Sequence, residues 1–217
     1  QGNGKIQSYY ANLTPAVNST VQCNPVTCTA GCPAIQSGFL TADSDKVYVS
    51  CQRVNTLSDG NILVLNRTTL AMIDNITGSP GGGGIYVDNN FIYSARSYPN
   101  GITNGGTQTI SVLNKSDYSK NWTVSSSGYS RSVLADQDFI YVSTIFGTSS
   151  QTNTQISILN RTKVLNSAVG TTVTATISKP GGGCYSSDFC SFGIGQLYTN
   201  RGFSDIYKSG QYVYWGT

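Results

Sequence analysis

The feature that most restricts the fold of this chain is a hairpin pattern that occurs four times. An apolar run, a polar turn and a second apolar run with tyrosine near its end occupy residues 39–50, 85–94, 133–143 and 206–215. β-Branched and aromatic residues on both sides of turn-forming residues are typical of β-hairpins. The sequence therefore predicts repeated two-stranded units, of which the copy at 206–215 is the least regular.

A second motif follows each of the first three hairpins, as Ile62-Leu-Val-Leu-Asn66, Ile110-Ser-Val-Leu-Asn114 and Ile156-Ser-Ile-Leu-Asn160. Its copies are spaced by 48 and 46 residues, and the hairpin tyrosines Tyr48, Tyr93 and Tyr141 by 45 and 48. Two markers with nearly one period indicate an internal repeat of about 46 residues. We predict an all-β domain over residues 38–217, with repeats at about 38–78, 85–124, 129–178 and 184–217.

Residues 1–37 lie outside the repeat and are predicted to form a strand and a cysteine-rich connector. Lys5–Thr14 has strand alternation, with Tyr9, Ala11 and Leu13 on one face. The fourth repeat stops before the outer strands expected in its predecessors, which predicts an open sheet edge. We expect the apolar residues of the N-terminal strand to fill that edge, in the same chain or in a neighbouring subunit: Ile6, Tyr9, Ala11 and Leu13.

Six cysteines in a chain rich in glycosylation sequons favour an oxidising, extracellular setting with three disulfides. Cys184 and Cys190 stand apart from the others and are expected to pair. The other four leave their connectivity open, although Cys51 at the end of the first hairpin can anchor an early cysteine: Cys23, Cys28, Cys32 and Cys51. Zinc is the rival interpretation, but the chain has no histidine and no second short cysteine pair.

Seven Asn-x-Ser/Thr sequons occur, at Asn12, Asn18, Asn66, Asn75, Asn114, Asn121 and Asn160. Asn66, Asn114 and Asn160 share one position in the repeat. Asparagine is also a good turn former after a strand, which is the simpler interpretation. The density and placement of the sequons favour N-linked glycans on one rim of the repeats.

The composition leaves little for catalysis. The chain has no histidine and no glutamate, which removes the usual Ser/His arrangements and most carboxylate pairs. Asp43 with Asp45, and Asp136 with Asp138, lie in hairpin turns, so a turn role is favoured over calcium binding. We therefore predict that the chain is not an enzyme and has no cofactor or metal.

Nucleic acid and membrane insertion are also disfavoured as functions. A net charge of +3 without a basic cluster argues against nucleic-acid binding. No apolar run approaches the length of a membrane span. Two polar segments, Ser97–Gln108 and Gly147–Gln155, are predicted to be loops on one rim, where binding sites are often built.

The hairpin and its Ile-Ser-Ile-Leu-Asn strand resemble a β-propeller blade over residues 38–217, without a WD or kelch signature. Low charge, many Asn, Ser, Thr and Tyr residues, and dense sequons are similar to cell-surface proteins of thermoacidophilic archaea, including subunits of their extracellular thread filaments. That resemblance implies assembly by donation of an N-terminal strand to the next subunit. A β-sandwich completed by such a strand is the alternative fold.

Two functions follow from these features. The first is a glycosylated structural subunit of an extracellular or cell-surface filament, a head-to-tail homopolymer with itself and its N-linked glycans as partners. The alternative is a secreted carbohydrate-binding or adhesive module that uses the two predicted loops.

Overall fold

The computed structural model describes residues 5–9, 15–22, 36–52, 60–77, 83–95, 107–127, 129–148, 151–166, 173–174 and 206–215. Its first eight strands are β1 (Lys5–Tyr9), β2 (Pro15–Gln22), β3 (Gln36–Ala42), β4 (Lys46–Gln52), β5 (Asn61–Asn66), β6 (Met72–Thr77), β7 (Ile85–Val87) and β8 (Phe91–Ala95). The remaining elements are β9 (Thr107–Asn114), β10 (Asp117–Ser127), β11 (Tyr129–Ala135), β12 (Phe139–Thr148), β13 (Gln151–Asn160), α1 (Arg161–Asn166), β14 (Val173–Thr174), β15 (Ile206–Ser209) and β16 (Tyr212–Trp215).

The described elements are nearly all antiparallel strands, which confirms the all-β prediction. The first sheet has the order β3-β4-β5-β6, the second β14-β10-β9-β8-β7 and the third β11-β12-β13. Two further pairs, β1-β2 and β15-β16, form two-stranded sheets. No helix in the described part of the chain is long and apolar enough to cross a membrane.

The second sheet lies between the first and the third, and both of its faces are buried. One face packs on the first sheet through a cluster that includes Tyr48, Val64 and Ile92. The opposite face packs on the third sheet through a cluster that includes Tyr93 and Val142. The neighbouring residues Ile92 and Tyr93 thus point to different neighbours, as alternation along a strand requires.

The first sheet has a second apolar face, directed away from the second sheet. Its centre is buried, with Val49 and Leu65 at most 2% exposed. The margins of this face are open, because Leu40 is 62% and Met72 55% exposed. We call this surface the outer face of the first sheet.

The backbone just before β7 lies very close to the end of β8. A Cβ added to Gly83 would lie 2.4 Å from the carbonyl oxygen of Ala95. The next residue, Gly84, accepts the Ala95 N–H at 2.8 Å through its carbonyl oxygen. The glycine-rich segment between the first two repeats therefore includes at least one position where a side chain does not fit.

The first part of the predicted cysteine-rich connector is a strand instead. β2 begins at Pro15, ends at Gln22 and pairs antiparallel with β1. Proline is tolerated at the first residue of a strand, where its missing N–H need not be bonded. Val17, Ser19 and Val21 then alternate with more polar neighbours, which suits a strand.

The predicted loop at Gly147–Gln155 is also wrong. β12 continues to Thr148 and β13 starts at Gln151, with Thr148 opposite Gln151 in an unbroken antiparallel register. The threonines of this segment, and the isoleucines Ile145 and Ile156 that flank it, have strand propensity, which overrides its glycine and polar content. The other predicted loop, Ser97–Gln108, lies outside the described residues except for its last two positions, which begin β9.

The third repeat does not close its own sheet among the described residues. After β13 the chain forms the short helix α1, whose first turn is capped by Asn160, with its Oδ1 accepting the Lys163 N–H at 2.9 Å. The chain then returns as β14, which pairs parallel with β10 of the second sheet, Val173 opposite Val124.

Candidate functional site: the sheet junctions and the C-terminal hairpin

The turns of the first three hairpins contain an aspartate with the same hydrogen bonds. In the second hairpin, Oδ1 of Asp88 accepts the backbone N–H groups of Asn90 and Phe91, both at 2.8 Å. Its other oxygen, Oδ2, accepts the hydroxyl of Tyr93 at 2.9 Å. The aspartate thus closes the turn and fixes the ring of the buried tyrosine two residues into the second strand.

The first and third hairpins repeat this arrangement. Asp43 accepts the Tyr48 hydroxyl, and Asp136 the Tyr141 hydroxyl, each at 3.0 Å. The turn role predicted for Asp43 and Asp136 is confirmed, because Oδ1 of each accepts two backbone N–H groups of its own turn. The hairpin tyrosines are therefore both packing residues and hydrogen-bond donors.

A cation from the following sheet completes each of these pairs. Nζ of Lys115, at the end of β9, binds Oδ2 of Asp43 across the junction between the first and second sheets. Nη2 of Arg161, at the end of β13, lies 2.7 Å from Oδ2 of Asp88 across the next junction. Each junction therefore joins the carboxylate and tyrosine of one hairpin to a cation that lies 72 or 73 residues from the carboxylate.

The cations also contact aromatic rings. Nε of Arg161 donates to the Tyr93 hydroxyl oxygen at 2.8 Å, and its guanidinium lies 5.6 Å from the centre of the Phe91 ring. Nζ of Lys115 lies 5.6 Å from the centre of the Tyr48 ring. A cation over an aromatic face gains roughly 0.5–1 kcal/mol at exposed sites and more when it is desolvated.

The third junction uses a different residue. Nζ of Lys208 in β15 lies 3.4 Å from Oδ2 of Asp136. Lys208 belongs to the first strand of its hairpin, whereas Lys115 and Arg161 follow a third strand. The carboxylate at this position is thus paired with a cation from a first strand rather than from the end of a third strand.

These contacts shift the acidity of the groups. Burial alone would raise the pKa of Asp43, but the Lys115 ammonium, two backbone N–H donors and the Tyr48 hydroxyl hold it well below the ordinary value of 3.8. The pKa of Asp136 is also lowered, because two backbone N–H donors, Tyr141 and Lys208 outweigh the effect of burial. Both carboxylates therefore remain charged in moderate acid.

The tyrosines shift in the opposite direction. Burial, with the neighbouring carboxylate Asp136 next in effect, raises the pKa of Tyr141 to about 12. The pKa values of Tyr48 and Tyr93 are raised as well, with burial as the largest cause. The three hydroxyls are therefore donors throughout the physiological range.

The C-terminal hairpin, β15-β16, has the same pattern without a following sheet among the described residues. Tyr207, Tyr212 and Tyr214 share one face, since Tyr207 is opposite Tyr214, and Ser209 is opposite Tyr212. They are 67%, 60% and 54% exposed, and neighbouring rings lie 6.4–6.5 Å apart. We call this surface, with Ser209, the tyrosine face.

The turn of this hairpin differs from the other three at the acidic position. Ser209, the last residue of β15, takes the place of Asp136, which directly follows β11. Tyr214 stands five residues after Ser209, as Tyr141 does after Asp136. Gly210 adopts φ +57°, a conformation that favours glycine. The C-terminal hairpin therefore keeps the aromatic residues of the pattern but has no carboxylate in its turn.

Three predicted glycosylation sites lie at equivalent positions after a third strand. Oδ1 of Asn66 accepts the N–H groups of Thr68 and Thr69 at 2.9 Å, and Oδ1 of Asn114 accepts that of Ser116 at 2.9 Å. Asn160 caps α1 in the same way. The turn-forming interpretation of these asparagines is therefore correct, and glycan attachment stays a prediction.

The other predicted sites are only partly described. Asn75 lies in β6, where its Oδ1 accepts Nδ2 of Asn61 at 2.7 Å. Asn18 and Asn121 lie in β2 and β10, and Asn12 lies outside the described residues.

Of the six cysteines, only Cys51 lies among the described residues. It is buried near the end of β4 and is not a free thiol. The other five lie outside the described residues: Cys23, Cys28, Cys32, Cys184 and Cys190. The expected pairings therefore stay predictions.

The predicted assembly residues are divided in the same way. Ile6 and Tyr9 lie in β1, paired with β2 in a sheet separate from β15-β16, and Ala11 and Leu13 fall outside the described residues. The structure thus does not bring the N-terminal strand to the C-terminal hairpin within one chain, among the residues it describes.

The junction cations were missed by the sequence reasoning, although a signal was present. The asparagine that ends the third strand of each of the first three repeats is followed by a basic residue: Arg67, Lys115 and Arg161. Their backbone N–H groups donate to equivalent turn carbonyls, those of Asp45, Asn90 and Asp138, at 2.8–2.9 Å.

No known protein family and no curated protein matches this chain in sequence.

Proposed function

We propose that this chain is a glycosylated structural subunit of an extracellular surface filament, which self-assembles head to tail. The observation that supports it best is the tyrosine face, where three aromatic side chains are each more than half exposed. Clustered exposed aromatic surface is typical of interaction sites. The equivalent aromatic surfaces of the first and second hairpins are buried by the next sheet. A β-sheet is therefore the kind of partner that covers such a surface in this chain.

The proposed architecture is a propeller-like series of hairpin-based repeats. It is supported by the repeated aspartate–tyrosine–cation contacts and by the packing of the second sheet between its two neighbours. In such a series each unit buries the aromatic face of the one before it.

The proposed assembly step is donation of the N-terminal strand, residues 5–14, to the hairpin β15-β16 of a neighbouring subunit. The hairpin has only two strands, which is marginally stable by itself. The β1-β2 pair is likewise two-stranded, with register shifts on both sides of Gln7 and Ser8. Addition of a strand to an open edge would satisfy backbone groups in both elements.

Deletion of residues 1–14 tests the proposal. We expect full-length native protein to form filaments in electron micrographs and the deletion variant to elute as a monomer in size exclusion chromatography. A variant with Asn12→Gln alone is the matched control, since it removes a sequon and keeps the strand. Filaments that persist after the deletion, or a full-length chain that stays monomeric at high concentration, would contradict strand donation.

The proposed glycans and disulfides fit an extracellular location. Glycopeptide mass spectrometry of native material should find Asn66, Asn114 and Asn160 modified, and non-reducing peptide mapping should find Cys184 bonded to Cys190. Bare asparagines at those positions, or a free thiol in that pair, would contradict these assignments.

A secreted carbohydrate-binding module is the second candidate. It is favoured by the same exposed tyrosines, because aromatic rings with nearby polar groups such as Ser209 and Gln211 can stack on sugars. The loss of the predicted loop at Gly147–Gln155 removes one of the two surfaces on which that function was expected. Glycan-array binding that disappears in Tyr212→Ala and Tyr214→Ala would favour this candidate over assembly.

A further inference from the structure

The third sheet ends in a long edge strand, unlike the first two sheets. In the first two repeats the third strand has neighbours on both sides, because β5 lies between β4 and β6, and β9 between β8 and β10. In the third repeat β13 has β12 on one side and no described strand on the other. The position that β6 and β10 hold in their sheets is therefore open beside β13, within the described part of the chain.

The helix α1, which follows β13, does not take that position. Its buried residue, Val164, belongs to the cluster between the second and third sheets, together with Tyr93 and Val142. The helix thus packs over the space between two sheets. Because the backbone of a helix bonds to itself, α1 would not satisfy the N–H and C=O groups of an edge strand in any case.

The other edge strands of this chain have features that discourage further pairing. Charged residues, proline, bulges and short length are the usual protections of a sheet edge. The edges β3, β6 and β11 each have a register shift against their neighbour, and β6 and β11 also contain Asp74 and Arg131. β1 and β2 have register shifts in their pairing, and β2 begins with Pro15. The remaining edges, β7, β14, β15 and β16, have at most four residues.

β13 has none of these protections. Its ten residues, Gln151–Asn160, are uncharged, include no proline or glycine and keep an unbroken register with β12. In an antiparallel strand the N–H and C=O groups of alternate residues point to the same side, so about five residues of β13 direct theirs away from β12. An edge of this kind is a template for another strand.

The complement of this edge has to be a long strand with an open side of its own. Among the described strands only β10, β12 and β13 reach ten residues. β12 is enclosed by β11 and β13, and β10 lies between β9 and β14 and contains the charged residues Asp117 and Lys120. The described strand that fits the edge of β13 is therefore β13 itself, in a second copy of the chain.

We propose that β13 pairs antiparallel with β13 of a second copy, so that the third sheets of the two copies form one continuous sheet. Such a contact is isologous, and the residue on its two-fold axis lies opposite itself. We place Gln155 on the axis, which brings Gln151 opposite Leu159 of the second copy and leaves every pair uncharged. Asn160, which caps α1 and is a predicted glycosylation site, then stays outside the paired segment.

This contact goes beyond the proposed filament. Strand donation is head to tail and adds subunits without limit, whereas a two-fold contact closes after two copies. Within a filament the contact joins subunits laterally. It requires neither residues 1–14 nor the tyrosine face.

Charges placed on the axis test the contact. Gln155→Lys and Gln155→Glu each bring like charges opposite one another, and each should weaken the association of the dimer about 5-fold. An equimolar mixture of the two variants should associate at least as tightly as the unmodified chain, because the lysine of one copy then faces the glutamate of the other. Sedimentation equilibrium of the full chain, at concentrations below filament formation, measures these constants.

Thr77→Lys is the matched control. It adds the same charge at an exposed position of β6, an edge strand whose pairing already contains a register shift. It should leave the association of the dimer unchanged. Thermal unfolding of each variant at several protein concentrations separates an effect on the fold from an effect on association.

Four results would overturn the proposal. An unmodified chain that forms no dimer, or a dimer that is insensitive to both Gln155 variants, would exclude the contact. Weakening that the mixture does not relieve would mean that Gln155 does not face itself. A thermal midpoint that both variants lower equally at every protein concentration, with association unchanged, would mean that a segment of the same chain closes the edge. Loss of the dimer on deletion of residues 1–14 would assign the edge to the donated strand.

Discussion

The second hairpin and the C-terminal hairpin contain the same aromatic pattern in opposite surroundings. Tyr93 is fully buried between the second and third sheets, and its hydroxyl contacts both Asp88 and Arg161. Tyr214, at the equivalent place, is 54% exposed. The difference arises from the neighbour rather than from the hairpin, because the second hairpin has a sheet over its aromatic face.

The comparison shows how the polar groups are matched to burial. A carboxylate is present in the three hairpins that receive a cation, and serine takes its place in the hairpin that receives none among the described residues. A buried carboxylate without a cation would be costly, whereas a serine hydroxyl can remain solvated. The hairpin with the exposed face thus carries the residue that tolerates exposure.

The largest expected difference between the two regions is in core packing. Tyr93→Ala should lower the free energy of unfolding by about 3–5 kcal/mol, because it leaves a cavity between two sheets. Tyr214→Ala should change it by less than about 0.5 kcal/mol, since the ring is solvated. Urea denaturation of the two variants measures both values, and similar losses would show that the tyrosine face is covered in solution.

The next effect concerns the charged contacts. Asp88→Asn keeps an oxygen for the turn but removes the charge that faces Arg161, and should destabilise the fold by about 2 kcal/mol. Ser209→Asn in the C-terminal hairpin should be neutral within about 0.5 kcal/mol. Thermal unfolding of both variants measures these effects. If Asp88→Asn is as stable as the unmodified chain, the prediction is wrong.

The acid dependence should come from the first and third hairpins, whose carboxylates have lowered pKa values. Asp43 and Asp136 ionise below the ordinary value of 3.8, so their stabilisation is full above that pH and is lost as the pH falls toward the folded pKa. Because the chain has no histidine or glutamate, stability should be flat between about pH 8 and 5 and decline below about pH 4.

Denaturation midpoints measured at neutral pH and at about pH 5, 4 and 3 test this dependence, because the last three values span the carboxyl range. The double variant Asp43→Asn with Asp136→Asn should show a shallower decline than the unmodified chain. An equally steep decline in that variant would assign the acid sensitivity to other carboxyls.

The smallest effect is local to the C-terminal turn. Gly210→Ala forces a side chain into a left-handed conformation and should cost about 1 kcal/mol, although no atom lies within 4 Å of the new Cβ. Hydrogen exchange should become faster in β15 and β16 and remain unchanged in β8. An equal increase in both hairpins would show that the C-terminal turn is coupled to the core.

Much of the strand pattern could be predicted from the sequence. The hairpin turns at Asp43, Asp88 and Asp136 and the strands that end at Asn66, Asn114 and Asn160 appear where the repeats indicated them. These features are local: an aspartate that bonds the amides two and three residues later, and alternating β-branched residues, act within one hairpin.

The elements that were missed depend on partners far along the chain. The ion pairs of Lys115 with Asp43 and of Arg161 with Asp88 span 72 and 73 residues, and the packing of whole sheets sets them. β2 was missed because the residues after Thr14 were assigned to the cysteine-rich connector, although Pro15 is compatible with a first strand position. Most of the polar Gly147–Gln155 segment is strand because the pairing of β12 with β13 continues without a break to Thr148 and Gln151.

The parallel pairing of β14 with β10 has a consequence for the order of folding. Val173 returns to Val124, so the whole third sheet and α1 lie inside the loop that this pairing closes. Closing a long loop has an entropic cost that grows with its length, and a two-residue strand gains little in return. We therefore expect the third sheet to form first and thereby shorten the effective loop. β14 then adds as one of the last steps, and it is the first contact to open under tension.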